Sequence, residues 1–167
     1  GDRPPRHRAA ALERLEDGDL ARGALPLQAL LLLGGLCLAD GDAPRAKELF
    51  MHACRLGPSG SSWLGAGSAC LALGEDEAAE ECLCEANVLN NRDARVWAQL
   101  AVICARRSRL DEAKQALEQA TRLELSDGRM LRALAEAMLG SGMWKEAEAC
   151  ARRALALGDG PGAGHLH

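Results

Sequence analysis

Small and apolar side chains recur along this chain with a period of about 34 residues. The clearest set is four alanines at nearly equal steps along the chain, namely Ala46, Ala79, Ala113 and Ala147. A second alanine follows each of them at a constant offset, at Ala53, Ala86, Ala120 and Ala154. Between these marks the apolar positions recur at every third or fourth place, which is the spacing of one face of an α-helix. The pattern predicts a series of similar helical hairpins.

Four further sets of residues recur with the same period, and we call each set of equivalent positions a column. The first holds small residues, Gly34, Gly67, Ala101 and Ala135. The second holds soft apolar residues, Cys37, Cys70, Cys104 and Met138. The third holds large side chains, Trp63, Trp97 and Leu131, and the fourth marks turns, Gly41, Gly74, Ser108 and Gly142. A small residue at a helix crossing lets two backbones approach while a large neighbour fills the remaining space, so the columns predict closely packed helix pairs.

The register predicts eight helices. Their expected bounds are 27–39 and 43–56, 61–73 and 76–89, 94–106 and 110–123, and 128–140 and 144–157. Four polar residues are predicted to cap helix N-termini, with Pro44 in the first turn after the first of them. These caps are Asp42, Asp93, Ser108 and Asp127.

A helical hairpin that repeats about every 34 residues is typical of the tetratricopeptide repeat (TPR). The expected fold class is all-α, a right-handed α-solenoid of about four TPR repeats with a short N-terminal helix near Arg8–Glu16. The predicted organisation is a linker and short helix at 1–26, a TPR domain at 27–157 and a flexible glycine-rich tail at 158–167. The repeats are expected near 27–59, 60–93, 94–127 and 128–157.

Composition narrows the possible partners. The chain has 167 residues, a net charge of -4 and a pI of about 5.6, which argues against binding to nucleic acid. No apolar stretch reaches the length needed to cross a bilayer, and no signal peptide precedes the repeats, so no membrane partner is expected. An odd number of cysteines, seven, at helical core spacing predicts a reducing compartment such as the cytosol.

Candidate chemistry is sparse. Cys82 and Cys84 are separated by a single residue, which directs their sulfurs to opposite sides of a helix, and no zinc-type cysteine or histidine spacing is present. Of the four histidines, His7, His165 and His167 lie in the tails, and His52 is interpreted as a surface or boundary residue rather than half of a Cys–His pair. We expect no catalytic residues, no metal, no cofactor and no small-molecule substrate.

The first helix of each TPR unit normally lines a concave surface, so register alone selects a candidate partner-binding groove. Its residues are Leu31, Leu38, Leu64, Ser68, Leu71, Arg95, Val102, Arg106, Arg129 and Arg132. A helix or extended peptide with an apolar stripe and an acidic end would complement them. The alternative is that the leucines pack on neighbouring helices while the arginines are solvated. The carboxylate clamp of TPR co-chaperones is not expected, because its positions hold Leu31, Gly35, Gly65 and Gln99.

The last helix needs an outer face that water tolerates, unless a partner covers it. A group of charged residues favours a polar outer face, namely Lys145, Glu146, Glu148, Arg152 and Arg153.

Beyond the repeat, the segment 45–139 resembles the C-terminal TPR region of the cilia- and flagella-associated protein 70 family. The similar strings are AKELFMHAC at 46–54, SSWLGAG at 61–67, EANVLNN at 85–91 and VWAQLAVIC at 96–104. The most specific part is the asparagine trio Asn87, Asn90 and Asn91 followed by Val96 and Trp97.

The resemblance implies a non-enzymatic component of the axoneme of a motile cilium or flagellum. It would bind other axonemal proteins in a microtubule-associated complex, such as the central apparatus or the dynein-arm region, and support ciliary motility. Two alternatives stay open. One is a generic cytosolic TPR adaptor in ciliary assembly or intracellular transport, and the other is a regulatory TPR module of a larger enzyme.

Overall fold

The structure is a computed structural model that describes residues 25–158, and every regular element in that range is an α-helix. The helices are α1 (Leu27–Ala39), α2 (Ala43–Leu56), α3 (Gly60–Ala72), α4 (Asp76–Leu89), α5 (Ala94–Arg106), α6 (Leu110–Arg122), α7 (Gly128–Gly140) and α8 (Trp144–Gly158). Each begins and ends within one residue of its predicted bounds. The predicted helix at Arg8–Glu16, the three tail histidines and residues 159–167 of the predicted tail lie outside the described residues.

The described helices fall into two compact units. In the first unit, α1 to α4, each helix packs against the next along the chain, and α1 also contacts α3. The second unit, α5 to α8, consists of the hairpins α5–α6 and α7–α8, and α7 packs against α5. Each unit therefore contains two of the four helical hairpins that the sequence period predicts.

The residues of the turn column are selected by the backbone conformation of the turns. All four of its residues have a positive φ, +84° at Gly41, +78° at Gly74, +59° at Ser108 and +77° at Gly142. The residue after each one donates its N–H to the carbonyl of the preceding soft apolar column residue, at 2.8 to 2.9 Å, as between Asp42 and Cys37. This is the Schellman arrangement, which requires the left-handed conformation that glycine adopts without strain.

Ser108 was expected to cap a helix, and this prediction is wrong. It occupies the left-handed position of the turn, and α6 starts after Arg109, whose side chain makes no capping hydrogen bond. The other predicted caps are confirmed, because the carboxylates of Asp42, Asp93 and Asp127 accept hydrogen bonds from backbone N–H groups in the first turns of α2, α5 and α7.

The alanine and small-residue columns form the helix contacts. Ala46, Ala79 and Ala113 are fully buried and Ala147 is 5% exposed. A Cβ atom added to Gly67 would lie 2.8 Å from Cγ of Leu83, so this position has no room for a side chain. These positions therefore hold small residues because neighbouring helices approach too closely for larger ones.

The two tryptophans of the large column are half-buried. Trp97 directs its ring N–H outward from α5, where Nε1 donates to the carbonyl oxygen of Asn91 at 2.8 Å. The third member of the column, Leu131, is buried. The Trp97 hydrogen bond thus anchors the segment of chain that enters α5.

Candidate partner-binding surfaces

In the first unit, three of the predicted groove leucines keep part of their surface open. Leu31, Leu38 and Leu71 are half-buried, whereas Leu64 is only 7% exposed and belongs to the core. Ser68 is also half-buried, and its hydroxyl donates to the carbonyl oxygen of Leu64 at 2.8 Å within its own helix. The accessible apolar surface here is therefore smaller than register alone predicts.

In the second unit, Arg95 is exposed, but its guanidinium forms an ion pair with Asp93. Its Nε and Nη2 donate to the two carboxylate oxygens of Asp93, at 3.1 and 2.9 Å. Burial alone would raise the pKa of the Asp93 carboxyl, but the hydrogen bonds from the Arg95 side chain and backbone outweigh it and hold that pKa below its usual value. Val102, another predicted groove residue, is 4% exposed and lies in the core.

Arg106 borders a shallow polar groove of about 400 Å³ between the C-terminal end of α5 and α7. Glu136 of α7 and Ser141 also line this groove. The Ser141 hydroxyl donates to the carbonyl oxygen of Ala105 at 2.7 Å, which ties the end of α7 to the end of α5. This groove joins a cation and a carboxylate but offers little apolar surface.

A larger groove of about 1080 Å³ runs between α7 and α8, and we call it the α7–α8 groove. Four apolar side chains in it are strongly exposed: Leu139 (53%), Trp144 (66%), Leu155 (67%) and Leu157 (43%). Arg129 and Arg132, both predicted groove residues, line it from α7, together with Glu136. The expected polar outer face of the last helix is therefore wrong, because the charged residues of α8 flank an open apolar surface rather than replace it.

The register explains why this surface is open. One period before Arg132, Glu136 and Leu139 stand Ala98, Val102 and Ala105 of α5, and these are at most 4% exposed in the unit where α7 packs against α5. Within the described residues, no further helix packs against α7 and α8 on that side. The sequence signal for this surface is Leu139, which stands one period after the buried Ala105. Leu110 and Thr121, one period before Trp144 and Leu155, remain exposed.

The cysteines do not form a reactive site. All but Cys84 are buried, and Cys82 and Cys84 lie on opposite sides of α4 as the spacing predicted. Burial, with the neighbouring Cys70 and Cys54, raises the pKa of the Cys82 thiol to about 12, so it stays protonated at neutral pH. His52 is half-buried and its Nδ1 lies 3.3 Å from Nη2 of Arg55.

Among residues 25–158, no group of three metal-ligating side chains comes together. None of the helices there combines the length and the apolar character that a bilayer span requires.

A match to a known protein family shows to which family the chain belongs. Residues 5–165 match the family model described as the Cilia and flagella-associated protein 70 C-terminal domain. The chain belongs to this family. The match extends well beyond the segment 45–139 that carries the resemblance in the sequence.

Two curated relatives are cilia- and flagella-associated protein 70 of Homo sapiens and of Macaca fascicularis. Each is 44% identical to this chain over 101 residues. The aligned region covers 60% of the chain but only 9% of the human protein and 10% of the macaque protein. The chain therefore matches about a tenth of the length of these cilia- and flagella-associated proteins.

Solved structures of MamA share the fold. One superposes with a TM-score of 0.70 at 23% identity, covering 94% of this chain and 86% of MamA. Another gives a TM-score of 0.63 at 23% identity, covering 92% and 85%. The similarity confirms the all-α TPR fold class for this member of the cilia- and flagella-associated protein 70 family. TPR scaffolds of this kind are generally non-catalytic and mediate protein–protein contacts.

Proposed function

We propose that this chain is a non-catalytic protein-binding arm of the axoneme in a motile cilium or flagellum, where it supports ciliary motility. The observation that carries the proposal is the family match over residues 5–165, together with 44% identity to cilia- and flagella-associated protein 70. Its partners are other axonemal proteins in a microtubule-associated complex, such as the central apparatus or the dynein-arm region.

The surfaces of the described residues support binding rather than catalysis. A nucleophile needs an adjacent base, but the buried thiols have raised pKa values, as at Cys82, Cys54 and Cys150. By contrast, the α7–α8 groove exposes an apolar floor beside charged side chains, which is the composition of a protein-binding site.

The contact residues follow from exposure. In the second unit, Arg106, Arg129 and Arg132 are exposed and border grooves, so they are the strongest candidates. In the first unit, Leu31, Leu38 and Leu71 supply apolar contacts at half-buried positions. Leu64 and Val102 act instead by holding their helices in place.

The test is fractionation of motile cilia that carry an epitope-tagged version of the protein. After detergent removes the membrane, the tagged protein is expected in the axonemal pellet, and extraction with high salt should release it as part of a complex. The tag fused to an unrelated helical protein is the control. Recovery in the detergent-soluble fraction alone would contradict the proposal and favour a cytosolic adaptor.

A further inference from the structure

The charges of the α7–α8 groove are unevenly distributed. Arg129 and Arg132 stand near the N-terminal end of α7, and neither guanidinium has an ion-pair partner among residues 25–158. Glu136 and Glu148 also line the groove, and Glu148 pairs with Arg152 at 2.7 Å. Apolar side chains lie along the whole groove, because Leu139 and Trp144 are at one end and Leu155 and Leu157 at the end that carries the two arginines. The groove is thus apolar along its length with two unpaired arginines at one end.

The second unit shows how a following helix packs beside the first helix of a hairpin, because α7 packs against α5. Short turns join α5 to α6 and α6 to α7, so consecutive helices run antiparallel, and α7 runs parallel to α5. Because α7–α8 repeats α5–α6 one period further along the chain, a helix that packed against α7 in the same way would run parallel to α7. Its N-terminal turn would then lie beside Arg129 and Arg132.

We propose that the α7–α8 groove receives an amphipathic helix of a partner protein, with acidic residues in its first turn and an apolar stripe along one side. The acidic residues would pair with Arg129 and Arg132, and the apolar stripe would cover Leu139, Trp144 and Leu155. This inference rests on the proposed scaffold function and names the kind of partner that one surface takes.

Helix physics favours the same arrangement. Acidic residues are stabilising in the first turn of a helix, where the unpaired N–H groups carry partial positive charge. The charges that suit the N-terminal end of the incoming helix are therefore the charges that the two arginines attract. The exposed side chains of Leu139, Trp144 and Leu155 provide the apolar contact area on which affinity depends.

A second copy of this chain fits the groove less well. End-to-end stacking would insert α1, the first helix of the first unit, whose sequence LQALLLLGGLCLA contains no charged residue. Such a contact would leave Arg129, Arg132 and Glu136 beside an apolar surface with no partner for their charges. Charge complementarity therefore selects a partner helix with acidic residues.

The experiment uses the full chain and two short fluorescent peptides with the same leucine stripe at helical spacing. One peptide carries two glutamates in its first turn, and the other carries two lysines at the same positions. Fluorescence anisotropy measures the affinity of both peptides for the wild type and for Arg129→Glu/Arg132→Glu. The matched control is Arg92→Glu/Arg122→Glu, which changes the net charge equally at exposed positions outside the groove.

The wild type and the control variant are expected to prefer the glutamate peptide by roughly tenfold, about 1.4 kcal/mol, since the glutamates form two exposed charge pairs that the lysines cannot form. The groove variant should reverse the preference, and Leu139→Glu/Leu155→Glu should weaken both peptides while circular dichroism stays unchanged. Equal affinity for the two peptides, or no binding to the wild type, would overturn the proposal.

Light scattering on the same samples tests the rival occupant. A concentration-dependent dimer that is lost in Leu139→Glu/Leu155→Glu would assign the groove to a second copy and overturn the proposal. These outcomes are separate from the proposed function. A chain that shows the charge reversal but never fractionates with axonemes would retain this groove specificity and lose the ciliary assignment.

Discussion

The aromatic ring of Phe50 lies directly against the backbone of Gly65, where a Cβ atom would overlap the ring. Phe50 belongs to α2 and Gly65 to α3, and the same ring also approaches Gly34 of α1, where an added Cβ would lie 2.9 Å from it. One buried phenylalanine therefore sets the spacing of three helices in the first unit. It is the only phenylalanine in the chain.

This contact predicts that Gly65→Ala destabilises the protein. Replacing glycine by alanine inside a helix normally adds about 0.5–1 kcal/mol of stability, but overpacking a core costs roughly 1–3 kcal/mol and should outweigh that gain. Gly35→Ala is the matched control, because Gly35 is exposed in α1 and no atom lies within 4 Å of its added Cβ.

Denaturant unfolding followed by circular dichroism measures both variants. Gly35→Ala is expected to raise the free energy of unfolding, and Gly65→Ala is expected to lower it. If both variants were stabilised by a similar amount, the close contact of Phe50 with α3 would be disproved.

The turn column gives a second prediction, in which two substitutions act in opposite directions. Gly74→Ala places a side chain at a φ of +78°, which costs roughly 1–2 kcal/mol for an L-residue. Ser108→Gly relieves the same strain at a φ of +59° and should stabilise the protein by up to about 1 kcal/mol.

Thermal unfolding measures the stability of both variants. The melting temperature should fall in Gly74→Ala and rise in Ser108→Gly, and the reversed order would show that the turns do not use the left-handed conformation. No heavy atom lies within 4 Å of a Cβ added at Gly74, so packing does not confuse the result.

The fold was predictable because the period of the apolar residues indicates both the helices and their repetition. Helix bounds and the caps at Asp42, Asp93 and Asp127 follow from local spacing and side-chain chemistry, which the sequence contains in full. Ser108 was misassigned because serine is common both at caps and in turns, and only its column of glycines indicated the left-handed conformation.

The binding surface was less predictable because exposure depends on the neighbours of a helix. Leu64 and Val102 occupy groove positions in the register, but they are buried in the structure. The open face at Trp144 and Leu155 was missed for the converse reason. Charged residues nearby on α8 suggested a polar surface, and residue type alone does not tell which side of a helix remains uncovered.

Cysteine reactivity gives a third prediction. With a thiol reagent at pH 8, one cysteine per chain should react quickly, because Cys84 is exposed and the other six are buried. Cys84→Ser should abolish the fast phase, whereas Cys82→Ser should leave it unchanged. A fast phase that persists in Cys84→Ser would contradict the packing of α4.

The same thiol predicts a pH dependence. The pKa of Cys82 is raised in the folded chain to about 12 from 9.0, so the folded state disfavours the thiolate. Stability from this group is fully present below pH 9 and is lost as the pH rises towards 12. Comparing the unfolding free energy of the wild type with that of Cys82→Ala between pH 8 and pH 11 should show a steeper loss in the wild type. Parallel curves would contradict the burial of this thiol.

The cap of α5 gives a fourth prediction. Asp93→Ala removes the carboxylate that accepts from the Arg95 backbone and should cost about 1 kcal/mol, while Asp111→Ala, at an exposed first-turn position of α6, should cost less. The folded chain holds the pKa of Asp93 below its usual value, so its stabilisation is present above about pH 4 and is lost as the pH falls through the folded pKa.

Urea titrations of the wild type and Asp93→Ala at pH 7 and pH 3 measure this effect. The difference between the two proteins should be largest at pH 7. An equal difference at both values would mean that ionisation of Asp93 does not contribute to the cap.

The most direct test of the ciliary assignment is cross-linking mass spectrometry on demembranated motile cilia that contain this protein. Lys114, which is 54% exposed, and Lys145, which is also exposed, carry amines that a cross-linker can reach in the second unit. We expect cross-links from these lysines to axonemal proteins. Cross-links confined to the chain itself or to soluble cytosolic proteins would contradict the ciliary assignment.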